Sequence, residues 1–152
     1  MNYLTLESPV GALTLAEEEN AIVSLFFAGK KYEQTPTELL RRGEQQLNEY
    51  FAGERQSFEL PLDPRGTDFQ KRVWRTLLEI PYGETRTYGQ LAARLGNPGA
   101  ARAVGGANNK NPLPILIPCH RVIGAGNDLV GYAGGLSVKA CLLHLENAAF
   151  KK

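Results

Sequence analysis

The chain has 152 residues, 43% of them hydrophobic and 22% charged, and a formal net charge of +1. This is an ordinary globular composition, sufficient to bury a core as one domain or two small ones, and it excludes the disordered and fibrous classes. Two cysteines with no Cys-x-x-Cys spacing and only two histidines give neither a disulfide framework nor a structural zinc set, so both thiols are expected to be free, in a reducing compartment.

The segment Met1 to Glu7 lacks the basic and apolar regions of a signal peptide, and no apolar run approaches the roughly 20 residues of a membrane span. A cytoplasmic protein without membrane association is expected. The charge is unevenly distributed. Between Glu84 and Asp128 there is no acidic residue, while Arg86, Arg94, Arg102, Lys110 and Arg121 give that segment +5; the remainder carries 12 basic against 16 acidic side chains. A basic half of this kind is either a solvated face or the footprint of a polyanion.

In chain order, Tyr3 to Leu6, Leu13 to Ala16 and Ile22 to Phe27 are short strand candidates. They are separated by the turn sequences Ser8-Pro9-Val10-Gly11 and Glu17-Glu18-Glu19-Asn20, which predicts an antiparallel meander. A helix then starts at Pro36-Thr37-Glu38, with Leu39, Leu40, Leu47, Tyr50 and Phe51 at three- and four-residue spacing and Gly53 at its end, so that one face can cover the sheet. Phe58 to Leu62 reads as a further strand. Asp63-Pro64-Arg65-Gly66 reads as a linker, dividing a domain over 1–66 from a mainly helical one over 67–152.

In the second half, Thr67 and Gln70 have capping-box spacing before the apolar stripe Phe69, Val73, Trp74, Leu77 and Leu78. Pro81-Tyr82-Gly83-Glu84 interrupts it. Thr87 and Gln90 repeat the capping spacing before Leu91 to Leu95, with Gly96 as a C-cap. Asn97-Pro98 turns the chain into a second short helix over Gly99 to Ala107, and the pair suggests a helix-turn-helix. That second helix is built of alanine and glycine with Arg102 as its one long central side chain. It is either a tightly packed core helix or a smooth surface from which an arginine enters a groove.

Asn111 to Val122 is proline-bracketed and apolar, and Ile115-Leu116-Ile117 reads as a miniature buried strand that delivers Cys119, His120 and Arg121, in extended backbone, to a cleft. Gly124 to Asp128 and Gly131 to Gly135 are glycine-rich loops. Ser137 is expected to N-cap a last helix with Val138, Cys141, Leu142 and Leu145 on one face. Cys119 is the candidate nucleophile, since a thiolate outdoes a hydroxyl once a base or positive charge populates it. In extended backbone His120 would point to the other face, so any partnership would run through water. Inert packing is the alternative for Cys119 and the expected state of Cys141.

The run Pro118-Cys119-His120-Arg121-Val122 resembles the active-site motif of the O6-alkylguanine-DNA alkyltransferases. The resemblance extends over most of the second half, through Phe69-Gln70, Val73-Trp74, Ile80 to Thr85, Thr87-Tyr88-Gly89, Ala101 to Gly105, Asn111-Pro112, Gly131 to Leu136, and Lys139, Leu142, Leu143 and Glu146. It implies an α/β (α+β) fold with a small ribonuclease H-like N-terminal domain and a winged-helix-like helix-turn-helix domain. It also implies direct reversal of DNA damage, in which Cys119 irreversibly accepts the alkyl group of O6-alkylguanine, and of O4-alkylthymine as a further candidate, from a base flipped through the minor groove. His120 and Glu146 would relay the thiol proton through a water. Tyr88 would promote rotation of the nucleotide and bring its hydroxyl to guanine N3. Arg102 would fill the vacated stack, with Ala101, Gly105 and Asn97 also at the DNA. Val122, Tyr132, Ala133 and Gly134 would line the base pocket, Asn111 would be the hinge and Arg121 a brace. Ala133 stands where some members carry serine, leaving only a backbone donor there. No cofactor or metal is implied, and a monomer acting on duplex DNA with little sequence preference is expected. A non-catalytic binder of alkylated DNA, a helix-turn-helix regulator and a cysteine hydrolase are the competing classes. A hydrolase would turn over; a transferase would stop after one equivalent.

Overall fold

The structure, a computed structural model, describes residues 1–29, 32–126, 128–132 and 134–148. The chain divides into two compact units, Met1–Arg65 and Gly66–Lys152. Among the described residues no helix is long and apolar enough to cross a membrane.

The first unit is a three-stranded antiparallel sheet in the order β1 (Asn2–Ser8), β2 (Gly11–Glu18), β3 (Ala21–Phe26) with one helix, α1 (Glu38–Phe51). Glu19 and Asn20 both have positive φ, the backbone that lets a two-residue turn follow the strand twist. Leu4 opposes Leu15 and Leu6 opposes Leu13 across β1 and β2, all buried. Leu40, Leu47 and Tyr50 bury the inner stripe of α1. Thr37 caps that helix through its hydroxyl. Gly43 is the close-approach point: a Cβ there would lie 2.9 Å from Leu15 Cδ1. The expected strand at Phe58 to Leu62 is absent as a strand. Gln46 takes both backbone groups of Glu59, donating to its carbonyl at 3.3 Å and accepting from its N–H at 2.9 Å. Only Leu62 forms a bridge, with Ile22, and Pro61 has no N–H to extend it.

The second unit contains α2 (Asp68–Leu77), β4 (Arg86–Thr87), α3 (Tyr88–Arg94), α4 (Ala101–Asn109), β5 (Val122–Ile123) and α5 (Leu136–Leu145). Both expected capping boxes form, Thr67 with Gln70 and Thr87 with Gln90. Val73, Trp74 and Leu77 are buried, and Trp74 Nε1 donates to Ala107 O at 2.9 Å, tying α2 to the end of α4. Leu78 instead follows the helix and is 53% exposed. Gly96 has φ +83 just beyond α3, and a 3-10 turn over Pro98–Ala100 precedes α4, so the second helix begins later than its sequence pattern predicts.

Three further expectations are corrected. Ile115 to Ile117 is a tight turn, not a strand: Ile115 has φ +73 and Ile117 N bonds to Leu113 O at 2.8 Å. A β-branched residue in that region is strained, and it is held there by burial. Ser137 does not cap α5, because Gly135, at φ +96, turns the chain into the helix two residues earlier. Cys141 is exposed, not packed.

Candidate active site

Cys119, His120 and Arg121 form one 3-10 turn, not an extended segment. Arg121 N bonds to Pro118 O, and Val122 N closes the turn on Cys119 O. Adjacent side chains therefore diverge by about a third of a turn instead of alternating across a pleat. The short parallel ladder follows at once: Val122 pairs with Arg86 and Ile123 with Thr87. Thus β5 carries the cysteine turn and β4 leads directly into Tyr88, the first residue of α3.

Glu146, the C-cap of α5, is the hub of the buried charges. His120 Nε2 lies 2.7 Å from its Oε2, while Arg121 donates through Nε at 2.8 Å and Nη2 at 3.1 Å to its two oxygens. Arg121 Nη1 also donates to Ile80 O at 2.8 Å, and its guanidinium lies over the Tyr82 ring. Gly83 N points to Glu146 Oε1 at 3.4 Å. Only a glycine suits that position, since its φ is +82 and a Cβ would stand 3.2 Å from Glu146 O.

His120 is fully buried. Burial pushes its pKa below the ordinary value, opposed by the hydrogen bond and charge of Glu146 and reinforced by Arg121 and Lys139. The imidazole is thus neutral at neutral pH. Because a carboxylate can only accept, Nε2 carries the proton and donates to Glu146. Nδ1 is then an unprotonated acceptor, buried and bonded to no described protein group. Arg121 matters to this arrangement: by matching the Glu146 charge it keeps the carboxylate from drawing a second proton onto the ring.

Cys119 is 3% exposed. Burial pushes its thiol pKa up to about 11, against the lowering effects of a hydrogen bond from Asn111 and the charge of Lys139. Asn111 also donates to Ile117 O and accepts from Leu113 N, both at 3.0 Å; it closes the turn that replaces the expected strand. At rest the sulfur is a neutral thiol, with about one part in ten thousand ionised at pH 7. Among the described residues no three His, Cys, Asp or Glu side chains come together to hold a metal ion.

Residues 68–148 match the DNA binding domain of 6-O-methylguanine DNA methyltransferase, and residues 1–64 match its ribonuclease-like domain. The chain is 52% identical to a methylated-DNA–protein-cysteine methyltransferase of Methanosarcina acetivorans, covering 97% of this chain and 99% of that one. With the constitutive enzyme of that name from Bacillus subtilis the identity is 48%, over 99% and 98%. Among solved structures, the Mycobacterium tuberculosis O6-methylguanine methyltransferase superposes with a TM-score of 0.87 at 51% identity, over 96% of this chain and 92% of that one. The M. tuberculosis OGT in complex with DNA gives 0.88 at 51%, over 97% and 95%. The chain belongs to the 6-O-methylguanine DNA methyltransferase family.

The methyltransferase fold brings Cys119, His120, Arg121, Asn111, Val122 and Glu146 together in buried surroundings. Tyr88 is half-buried, with its ring 3.7 Å from where a Gly105 side chain would start. Arg102 is exposed on α4, Ala101 is half-buried beside it, and Asn97 is exposed in the turn before. Tyr132 and Gly134 are half-buried ahead of α5; Ala133 lies outside the described residues. Arg121 is the exception to the basic footprint, since its charge is committed to Glu146.

Two buried polar residues of the second unit, Lys139 and Asn108, were given no role by the sequence. Lys139 is fully buried, its ammonium donating to Val130 O and Gly131 O, and burial lowers its pKa to about 8. Asn108 is 2% exposed on the inner face of α4. Periodicity held the signal for both: Lys139 is one helical turn before the buried Leu142 and Leu143, and Asn108 lies four residues after the buried Val104.

Proposed function

We propose that the protein repairs O6-alkylguanine in duplex DNA by moving the alkyl group to Cys119, once per molecule. The buried closure of the Cys119–Arg121 turn on Glu146 carries this reading, because it leaves a neutral imidazole whose free Nδ1 can take the thiol proton. The names of the relatives and the DNA complex of the M. tuberculosis protein support the substrate.

In this reading the Cys119 proton passes, through a bridging water, to His120 Nδ1, and Glu146 steadies the imidazolium. The sulfur attacks the alkyl carbon, an S–C bond forms and the C–O6 bond breaks. The electron pair goes to the guanine, which takes a proton at N3 from the Tyr88 hydroxyl. A donor placed where charge develops lowers the barrier. The product is a thioether with no acyl carbon for water, so the protein is not regenerated. No cofactor is required.

A base inside a duplex is out of reach, so the guanine is flipped out through the minor groove, at a cost of a few kcal/mol. Arg102, exposed on a helix of small residues, fills the vacated stack, with Ala101, Gly105 and Asn97 along the backbone. Val122, Tyr132, Ala133 and Gly134 frame the base, and O4-alkylthymine is a second substrate of the same chemistry. The protein acts as a cytoplasmic monomer, and its domains, 1–66 and 67–152, divide the work so that the second holds DNA and reacts. Residues 66–152 carry 11 basic against five acidic side chains, and residues 1–65 six against 11. This polarity suits phosphate contact without sequence readout.

Intact-mass analysis after incubation with duplex DNA containing O6-methylguanine tests the reading. One added methylene mass on the Cys119 peptide, absent in Cys119→Ala, is the expected result. No adduct would overturn it, and more than one equivalent of guanine per protein would indicate a hydrolase instead.

A further inference from the structure

We infer that Asn108 is a positioning residue that fixes the Tyr88 hydroxyl relative to the Cys119 backbone, so that the phenol is aimed before substrate arrives. The assignment rests on the reaction proposed above. Gly105 and Asn108 are three residues apart and so share one face of α4. The Tyr88 ring lies against Gly105, with its Cδ1, Cε1 and Cζ atoms 3.7 to 4.0 Å from the position a Cβ would take. One turn further along the same face, Asn108 Nδ2 donates to Cys119 O at 3.5 Å. The ring packs at one step of the helix, and the amide at the next step reaches the nucleophile's own carbonyl.

The electrostatics agree with this geometry. Burial raises the Tyr88 pKa, and hydrogen bonding by the Asn108 side chain opposes that shift. A hydrogen bond that lowers a phenol pKa is one donated to its oxygen. An amide nitrogen has two protons: one goes to the Cys119 carbonyl and the other toward the Tyr88 oxygen. The phenol O–H is then left to point away from Asn108, into the site, as a stronger donor. The cost is visible on the same side chain, since Asn108 Oδ1 is buried with no hydrogen-bond partner among the described residues. A half-satisfied buried amide is unfavourable. An alanine or leucine would be the simpler choice for helix packing, and the amide is accounted for by what its nitrogen does.

A double-mutant cycle on single-turnover methyl transfer, at saturating O6-methylguanine duplex, tests this. Asn108→Ala and Tyr88→Phe are measured singly and together, with Asn108→Asp as the isosteric variant that keeps the volume and removes the amide protons. Asn108→Ala is expected to slow transfer about five- to tenfold, and Asn108→Asp at least as much. In the Tyr88→Phe background Asn108→Ala should have almost no further effect, because the hydroxyl it positions is gone. Losses that multiply independently, or an Asn108→Asp protein with wild-type rate, would overturn the assignment while leaving the transfer reaction standing. A wild-type protein that forms no methyl adduct would overturn both.

Discussion

At Cys119 the protein keeps the proposed nucleophile in its unreactive form. Burial raises the thiol to about 11, so the resting sulfur resists oxidation and stray alkylation, and reactivity depends on a base that can remove the proton on demand. In the proposed reaction His120 meets that need only while neutral. Its folded pKa lies below the unfolded value, with burial as the largest cause. In the window below about pH 6.5 the unfolded chain therefore binds a proton at this position that the native state does not. The stability His120 contributes is present above that pH and is lost as pH falls toward the folded pKa, at no more than about 1.4 kcal/mol per pH unit. Urea unfolding of wild type and His120→Gln at pH 7.5, 6.5 and 5.5 checks the sign. The wild type should lose stability faster on acidification than the variant, and the reverse ordering would mean that the native imidazole is charged.

The elements explain how residues 58 positions apart in sequence, Tyr88 and Glu146, come to the one proposed site. Two capping boxes of the same type, Thr67 with Gln70 and Thr87 with Gln90, start α2 and α3, but only the second is followed immediately by a proposed site residue. Thr67→Ala and Thr87→Ala should each cost about 1 kcal/mol in denaturant unfolding. Only Thr87→Ala should also slow single-turnover transfer, because it loosens the backbone carrying Tyr88; equal rates in the two variants would separate the cap from the phenol. Both boxes, the meander, the cysteine motif and the helix-turn-helix pair were readable from the sequence, since each is written in local spacing. What was not readable depends on long-range partners. The two-residue ladder of Arg86-Thr87 with Val122-Ile123 is too short to leave a periodic pattern. The left-handed Ile115 is a conformation that local preference argues against. Gln46 intercepts the backbone of Glu59, so a sequence with strand character never becomes a strand. Lys139, quoted in the sequence only among the residues that carry the resemblance, owes its burial to the helix face it shares with Leu142 and Leu143.

For the whole molecule, the proposed reaction changes the protein permanently, and the packing around the sulfur determines how. Cys119 is 3% exposed and its neighbours in the turn, His120 and Arg121, are 0% and 7% exposed. Its own N–H is bound to Ile117 O at 2.7 Å, and its sulfur accepts from Asn111. That amide also holds Ile117 O and Leu113 N, so a group added to the sulfur presses on the contacts that close the 111–117 turn. An extra methyl in a well-packed site costs about 1–3 kcal/mol, and the loss of a good acceptor for Asn111 adds to it. For a chain of this size each kcal/mol shifts Tm by roughly 2–4 °C. The methylated protein, freed of DNA and measured by calorimetry beside the unreacted one, should therefore melt several degrees lower. The larger benzyl group should lower Tm further, because the same turn must open wider. An unchanged Tm would mean that the space for the product is already built into the fold and that the turn at Asn111 does not sense the alkyl group.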